Sequence, residues 1–245
     1  MAEVEIIQPQ TTLIAGSDTT GKLSRQELAL VPTPTSTLTH QVIPHIEIVN
    51  SLEEALGFRH ISVINQEYAV SKDTRNFFGV MTLDQGIDGA QFALGVRNSH
   101  SKMFRLSIVV GLRIFVCSNL CFSGDFNIVL AKHSKNFSLQ HAISIGIDEA
   151  QRGFGPMQQR VETWKQSLIT DDQARLTIFR AFIEDQLDCP KHLAKEVWHN
   201  WQEPAYDEFR PRTAFSLNNA FTSSFKLLEP VPAYRATASL GQIFN

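Results

Sequence analysis

The stretch from Phe104 to Val116 constrains the chain most. Its even positions, Phe104, Leu106, Ile108, Val110, Leu112, Ile114 and Val116, are all apolar, whereas the odd positions include Arg105, Ser107, Gly111 and Arg113. Side chains of a strand alternate between faces, so the stretch reads as a strand with one greasy face. That face packs against helices, and a mixed basic and aromatic face points outward. A bulge at Gly111 would flip the parity beyond it and take Arg113 off the face that carries Arg105. Such a strand needs neighbours on both sides. Candidates with the same period and β-branched content are Ile61–Val70, Arg75–Leu83, Gln91–Arg97 and Phe126–Ala131. Ser71-Lys72-Asp73, Asp84-Gln85-Gly86 and Ser123-Gly124-Asp125 lie between candidate strands and read as turns.

Outside this block the period is helical. Pro44–Gly57 repeats Ile46, Val49, Leu52 and Leu56 near every 3.6 residues, with Gly57 as a candidate C-terminal cap. Thr170 with Gln173 forms a capping box for a helix to about Asp188, Pro190 opens another to about Gln202, and a last one covers Thr213–Lys226. Residues 1–45, rich in proline and threonine, read as an extended arm with one short turn of helix capped by Ser24 and Glu27. The fold class is α+β: an arm over 1–45, then a single domain over 46–245. Within that domain 46–136 holds a helix and an antiparallel meander of about five strands, and 137–245 is mainly helical and packs on one face.

A chain of 245 residues with 43% apolar content is long enough for a sizeable core, and its net charge of −3 excludes a polyelectrolyte or a uniformly basic coat. No segment is apolar enough to cross a membrane, and the start resembles no secretory signal, so a cytoplasmic protein is expected. Cys117 and Cys121 on an extended strand would stand roughly 13 Å apart, too far for a shared metal ion or a disulfide. His40, His45, His60 and His100 lack the tight spacing of metal ligands and read as hydrogen-bonded structural histidines. The segment Gly16–Leu23 is one hydroxyl short of a phosphate loop and has no strand–loop–helix unit around it. No metal and no cofactor are expected.

The charge is polarised. Between Gly95 and Lys135 six cations (Arg97, Lys102, Arg105, Arg113, Lys132, Lys135) face one acid, Asp125, and Phe104, Phe115 and Phe122 interleave with them. The run Arg97-Asn98-Ser99-His100-Ser101-Lys102 gathers donors suited to phosphate. Cations for phosphates with rings for unstacked bases are what a single nucleic-acid strand requires. The plainer reading is also open: a solvated turn, a basic strip paired to acidic helices, and phenylalanines in the core. Trp198 and Trp201 share a helix and anchor packing or a subunit contact.

Gly95-Val-Arg97-Asn98-Ser99-His100-Ser-Lys102, with Arg113-Ile-Phe-Val-Cys117-Ser-Asn119-Leu-Cys-Phe-Ser-Gly124-Asp125, resembles the phage- and plasmid-associated "domain of unknown function 932" family. The resemblance extends to Thr39-His40…Pro44-His45, Tyr68–Asp73 and Arg212-Thr-Ala-Phe…Asn219-Ala220-Phe221-Thr222, and so covers about residues 25–225. The family pattern often carries an acid where this chain has Ser101 and Asp where it has Ser118. Both departures remove negative charge that metal-assisted chemistry would use. The resemblance implies a mobile-element protein, and helix, meander and backing helices are similar in order to single-strand annealing recombinases.

The expectation is a single-stranded DNA-binding, strand-annealing accessory protein acting as a homo-oligomer. Arg97, Lys102, Arg105 and Arg113 would neutralise phosphates, Asn98, Ser99 and His100 position the backbone, and Phe115 or Phe122 stack a base. Two alternatives stand beside it. One is an anti-defence or regulatory factor that grips a host or phage protein with its arm and tryptophan helix. The other is a nucleic-acid-processing enzyme with His100 as acid–base near Cys117 or Asp125.

Overall fold

A computed structural model describes residues 19–87, 90–114, 120–184 and 187–244. In chain order the elements are β1 (Thr19–Leu23), α1 (Arg25–Ala29), α2 (His45–Gly57), β2 (Val63–Ser71), β3 (Asn76–Ile87), β4 (Ala90–Ser99), β5 (Leu106–Ile114) and β6 (Leu120–Ala131). They are followed by α3 (Leu139–Gln166), α4 (Asp171–Phe182), α5 (Leu193–Gln202), α6 (Ala214–Phe225) and α7 (Pro230–Ile243). The six strands form one sheet in sequential order, and every neighbouring pair is antiparallel. The fold is α+β, a meander with helices before and after it.

The alternation in β5 governs the packing. Leu106, Ile108, Val110 and Leu112 join Phe92, Leu94 and Val96 of β4 and Phe77, Met81 and Leu83 of β3 on one buried face. Ile48, Val49, Leu52 and Leu56 of α2 and Ile143, Ile147, Ala150 and Phe154 of α3 cover it. A large apolar side chain buried this fully contributes about 1.5–3 kcal/mol, which makes this face the main source of cohesion. Helix α3 comes so close to β6 that a Cβ on Gly146 would meet the Ile128 carbonyl oxygen at 2.8 Å. A second apolar cluster joins α4, α5, α6 and α7 through Phe182, Trp201, Phe221 and Leu240.

The structure differs from the sequence reading at several points. The segment read as an arm contributes a strand, because β1 pairs with β2, and α1 follows it with the expected Ser24–Glu27 capping box. Asp84-Gln85-Gly86 is no turn. It lies inside β3 where the ladder to β4 shifts register, and a Cβ on Gly86 would overlap the Ala90 carbonyl. Ser123-Gly124-Asp125 likewise lies within β6. Gly57 does not cap α2 in a left-handed conformation; the positive φ, 55°, falls three residues later at His60. No bulge at Gly111 breaks the β4–β5 ladder, and the irregularities sit around Val109 in the β5–β6 ladder. Helix α7 has no counterpart in the sequence reading.

Candidate nucleic-acid interface

Asn98 and Ser99 end β4, His100 opens the turn after it, and all three are buried, so none is exposed to meet a phosphate. Their work is local. The Asn98 amide nitrogen donates to the Ile43 carbonyl at 3.1 Å and contacts His45 Nδ1 at 2.9 Å. His100 Nε2 donates to the same carbonyl at 2.9 Å, so both lone pairs of Ile43 oxygen are taken. Ser99 Oγ accepts the Met103 N–H at 3.1 Å and closes the turn into β5. These bonds pin the strap of residues 36–44, which lacks regular structure, against the sheet. The strap is fixed from the other side by the Gln41 N–H, which donates to the His133 carbonyl at 3.1 Å.

The pinned strap brings four histidines together. His45 stacks on His100 at 3.8 Å between ring centroids and His40 on His133 at 5.1 Å, each pair within 6° of parallel. All four are buried. His60, grouped with them in the sequence reading, is not part of the stack, and His133 takes its place. Because Asn98 Nδ2 must donate to the Ile43 carbonyl, it also presents a hydrogen to His45 Nδ1, which favours a neutral ring whose Nε2 donates to the Thr74 carbonyl at 3.2 Å. Burial is the main reason all four imidazoles titrate low. It takes His45, next to His100, to about 3 and His133, near His40 and His100, to about 4. His100 and His40 move in the same direction, His40 with added repulsion from Lys102.

A metal does not suit this stack. Imidazole lone pairs lie in the ring plane, so parallel stacked rings send them side by side instead of toward one point. Among the described residues no group of three or more histidine, cysteine or acidic side chains could hold an ion. Cys117 and Asn119 lie outside the described residues.

Above the stack opens a pocket of about 430 Å³ lined by Thr39 and His40 of the strap, Lys102, Met103, Phe104 and Arg105 of the β4–β5 connection, and Lys132, His133 and Ser134 after β6. Lys102, Arg105 and Lys132 are exposed, and the lining holds no acidic residue. Lys102 has φ +63°, a left-handed conformation that a lysine seldom adopts, and it turns the chain at the pocket rim. Thus two of the four cations expected to meet phosphate converge, and Lys132, absent from that set, completes the group. The signal for Lys132 was its place in the basic run; contact order along the meander hides that it returns beside residue 102.

The other two cations are elsewhere. Arg113 is 5% exposed on the far face of β5, where its guanidinium donates to Thr82 Oγ1 at 3.2 Å. Burial lowers its pKa, and Glu67 on the same face opposes that. Its expected role at phosphate is withdrawn, because a side chain buried against β3 cannot reach solvent. Arg97 is half-buried, its guanidinium 5.1 Å from the Phe104 ring centroid. It holds that ring instead of lining the pocket. Phe115 lies outside the described residues, and of Phe122 only the backbone, within β6, is described.

The tryptophans divide too. Trp201 is buried and donates from Nε1 to Asp171 at 2.9 Å, so it is a packing anchor. Trp198 is half-buried under Arg175, whose guanidinium stands 4.8 Å from its ring. Phe179 and Ile183 lie beside it and, with Leu176, are about half exposed; together they form the uncovered apolar face of α4 and its C-terminal cap.

Fold and site together define an α+β meander protein with an acid-free cationic pocket set over a buried histidine stack. By sequence the chain belongs to the family described as Domain of unknown function (DUF932), whose model matches residues 37–237. The match begins at the strap, takes in β2–β6 and α2–α6, and ends within α7. No curated protein and no solved structure matches the chain. No helix among the described residues is long and apolar enough to cross a membrane.

Proposed function

We propose that this protein binds single-stranded DNA at the pocket between the strap, the β4–β5 connection and the end of β6. The observation that carries the reading is the convergence of Lys102, Arg105 and Lys132 around a cavity without an acid. Met103, 68% exposed at the rim, and Phe104 in the wall offer apolar contact to an unstacked base. The reading is that of a strand-binding accessory factor of a phage or plasmid, working in the cytoplasm, for which holding a strand extended is enough and no bond need be broken.

Three cations at phosphates release counterions, so the log–log slope of affinity against salt should be about −2. Replacing Lys102, Arg105 and Lys132 together by alanine is expected to weaken binding about 100-fold near 0.1 M salt and to flatten that slope. Fluorescence anisotropy with a labelled oligonucleotide at two ionic strengths measures both. Unchanged affinity in the triple variant would reject the pocket as the binding site.

The homo-oligomer belongs to the same proposal and rests on the uncovered face of α4. Leu176, Phe179 and Ile183 recur at helical spacing, and Phe179 and Ile183 line a shallow groove with Trp198, a pattern suited to a second copy. Light scattering after size exclusion should give a multiple of the chain mass for the natural protein and a monomer for Phe179→Asp. The alternative of a host or phage protein as main partner draws on this same face, and it gains ground if the natural protein is monomeric and ignores oligonucleotides.

A further inference from the structure

Two features of the pocket exceed what an internal phosphodiester requires. The first is its buried floor. His133 is 5% exposed and neither of its ring nitrogens has a hydrogen-bond partner, and His40 Nε2 has none either. Buried polar nitrogens without partners are uncommon, and here they belong to residues that line a cavity. The second is charge. An internal diester carries one negative charge and no titratable proton near neutrality. A phosphate monoester carries roughly −1.5 to −2 at pH 7 and titrates near pH 6.

We propose that the pocket is a subsite for the terminal phosphate monoester of a nucleic-acid strand. It rests on the strand-binding reading above and deepens it. Lys102, Arg105 and Lys132 surround the dianion, the Thr39 and Ser134 hydroxyls stand in the walls, and His40 and His133 meet its inner oxygens from the floor. A neutral imidazole offers one N–H and one lone pair, and a monoester bearing a partly shared proton can satisfy both. A bound dianion also favours imidazolium at His40 and His133. The groups that face those two rings are all cationic or neutral: Lys102, Arg105 and Lys132 around the pocket, with His100 and His45 behind.

The test is competition anisotropy with unlabelled strands of one sequence ending in 5′-phosphate, 3′-phosphate or hydroxyl only. One phosphorylated end is expected to bind about tenfold tighter than the hydroxyl-ended strand, and which end it is follows from the two arms. The preference should be lost in Lys132→Ala, a surface change that leaves the core untouched, and in His133→Phe, which keeps a ring against His40. Equal affinity for all three ends, with binding intact, overturns the subsite and leaves the strand reading standing. Failure of every strand to bind overturns both.

Discussion

Acidification from pH 6.5 to 5 should lower the melting temperature by about 10 °C, well before most carboxylates are protonated. The cause is the histidine stack. In the unfolded chain each imidazole takes up a proton near pH 6.5, whereas folding holds His45 to about 3 and His133 to about 4. Between those values and 6.5 the unfolded state binds more protons, so stability rises with pH there and falls on acidification. Below pH 6.5 each such histidine removes up to about 1.4 kcal/mol per pH unit. Two of them over 1.5 units amount to about 3 kcal/mol, because the full slope is reached only below pH 6.5, against a total stability of roughly 5–15 kcal/mol. For a chain of this size one kcal/mol shifts the midpoint by about 2–4 °C. Circular-dichroism melts at constant ionic strength, in a buffer free of phosphate, give the measurement. The His133→Phe variant should show about half the slope. A midpoint that stays level between pH 6.5 and 5 would mean that the imidazoles are hydrated and protonated in the folded protein.

Elements with a strong period were legible from sequence alone, and tertiary exceptions to local signals were not. The apolar even face of β5, the stripe of α2 and the Thr170 capping box carry their own physics, and the chain folds there as they dictate; the odd face of β5, expected outward, is buried at Ser107, Val109 and Arg113. Asp84-Gln85-Gly86 misleads because aspartate and glycine favour turns locally, while here the glycine serves a close backbone approach between β3 and β4. β1 hides because a strand of five residues without alternation gains its place only from a partner strand. α4 shows a broad apolar face, yet only Ala174, Ile178, Ala181 and Phe182 are covered, and composition cannot say which part of such a face finds a neighbour.

The candidate site was half visible for a related reason. A basic run announces charge but not direction. Lys102 and Arg105 flank a turn and are exposed, whereas Arg113, eight residues beyond Arg105, is turned inward to Thr82. The Asn98-Ser99-His100 triplet has donors suited to phosphate, and those same donors suit a backbone carbonyl. Which one they meet depends on residue 43, more than fifty positions earlier. His133 was counted with no group at all, since only the meander brings the end of β6 beside the end of β4.

The pin at residue 98 gives the second large expected effect. Asn98→Ala should destabilise the protein by roughly 3 kcal/mol, because it leaves His45 Nδ1 without its donor, takes one of two hydrogen bonds from the Ile43 carbonyl and opens a small void. The midpoint at pH 7 should drop by about 6–12 °C. Loss should not stop at stability. The strap that Asn98 holds carries Thr39 and His40 into the pocket wall, so strand affinity should also fall, although residue 98 is fully buried and touches no ligand. Asn98→Asp separates the two parts of the role. It keeps the shape but turns acceptors toward the Ile43 carbonyl and His45 Nδ1, which favours a charged His45 beside the new carboxylate. That variant should be poorly stable at pH 7 and recover part of its deficit relative to the natural protein as pH falls toward 5, opposite in sign to the natural slope. Thermal melts of both variants at pH 7 and pH 5, run beside anisotropy at a temperature where each is folded, supply the comparison. If Asn98→Ala melts and binds like the natural protein, the strap is held by other contacts and the buried triplet has no part in shaping the pocket.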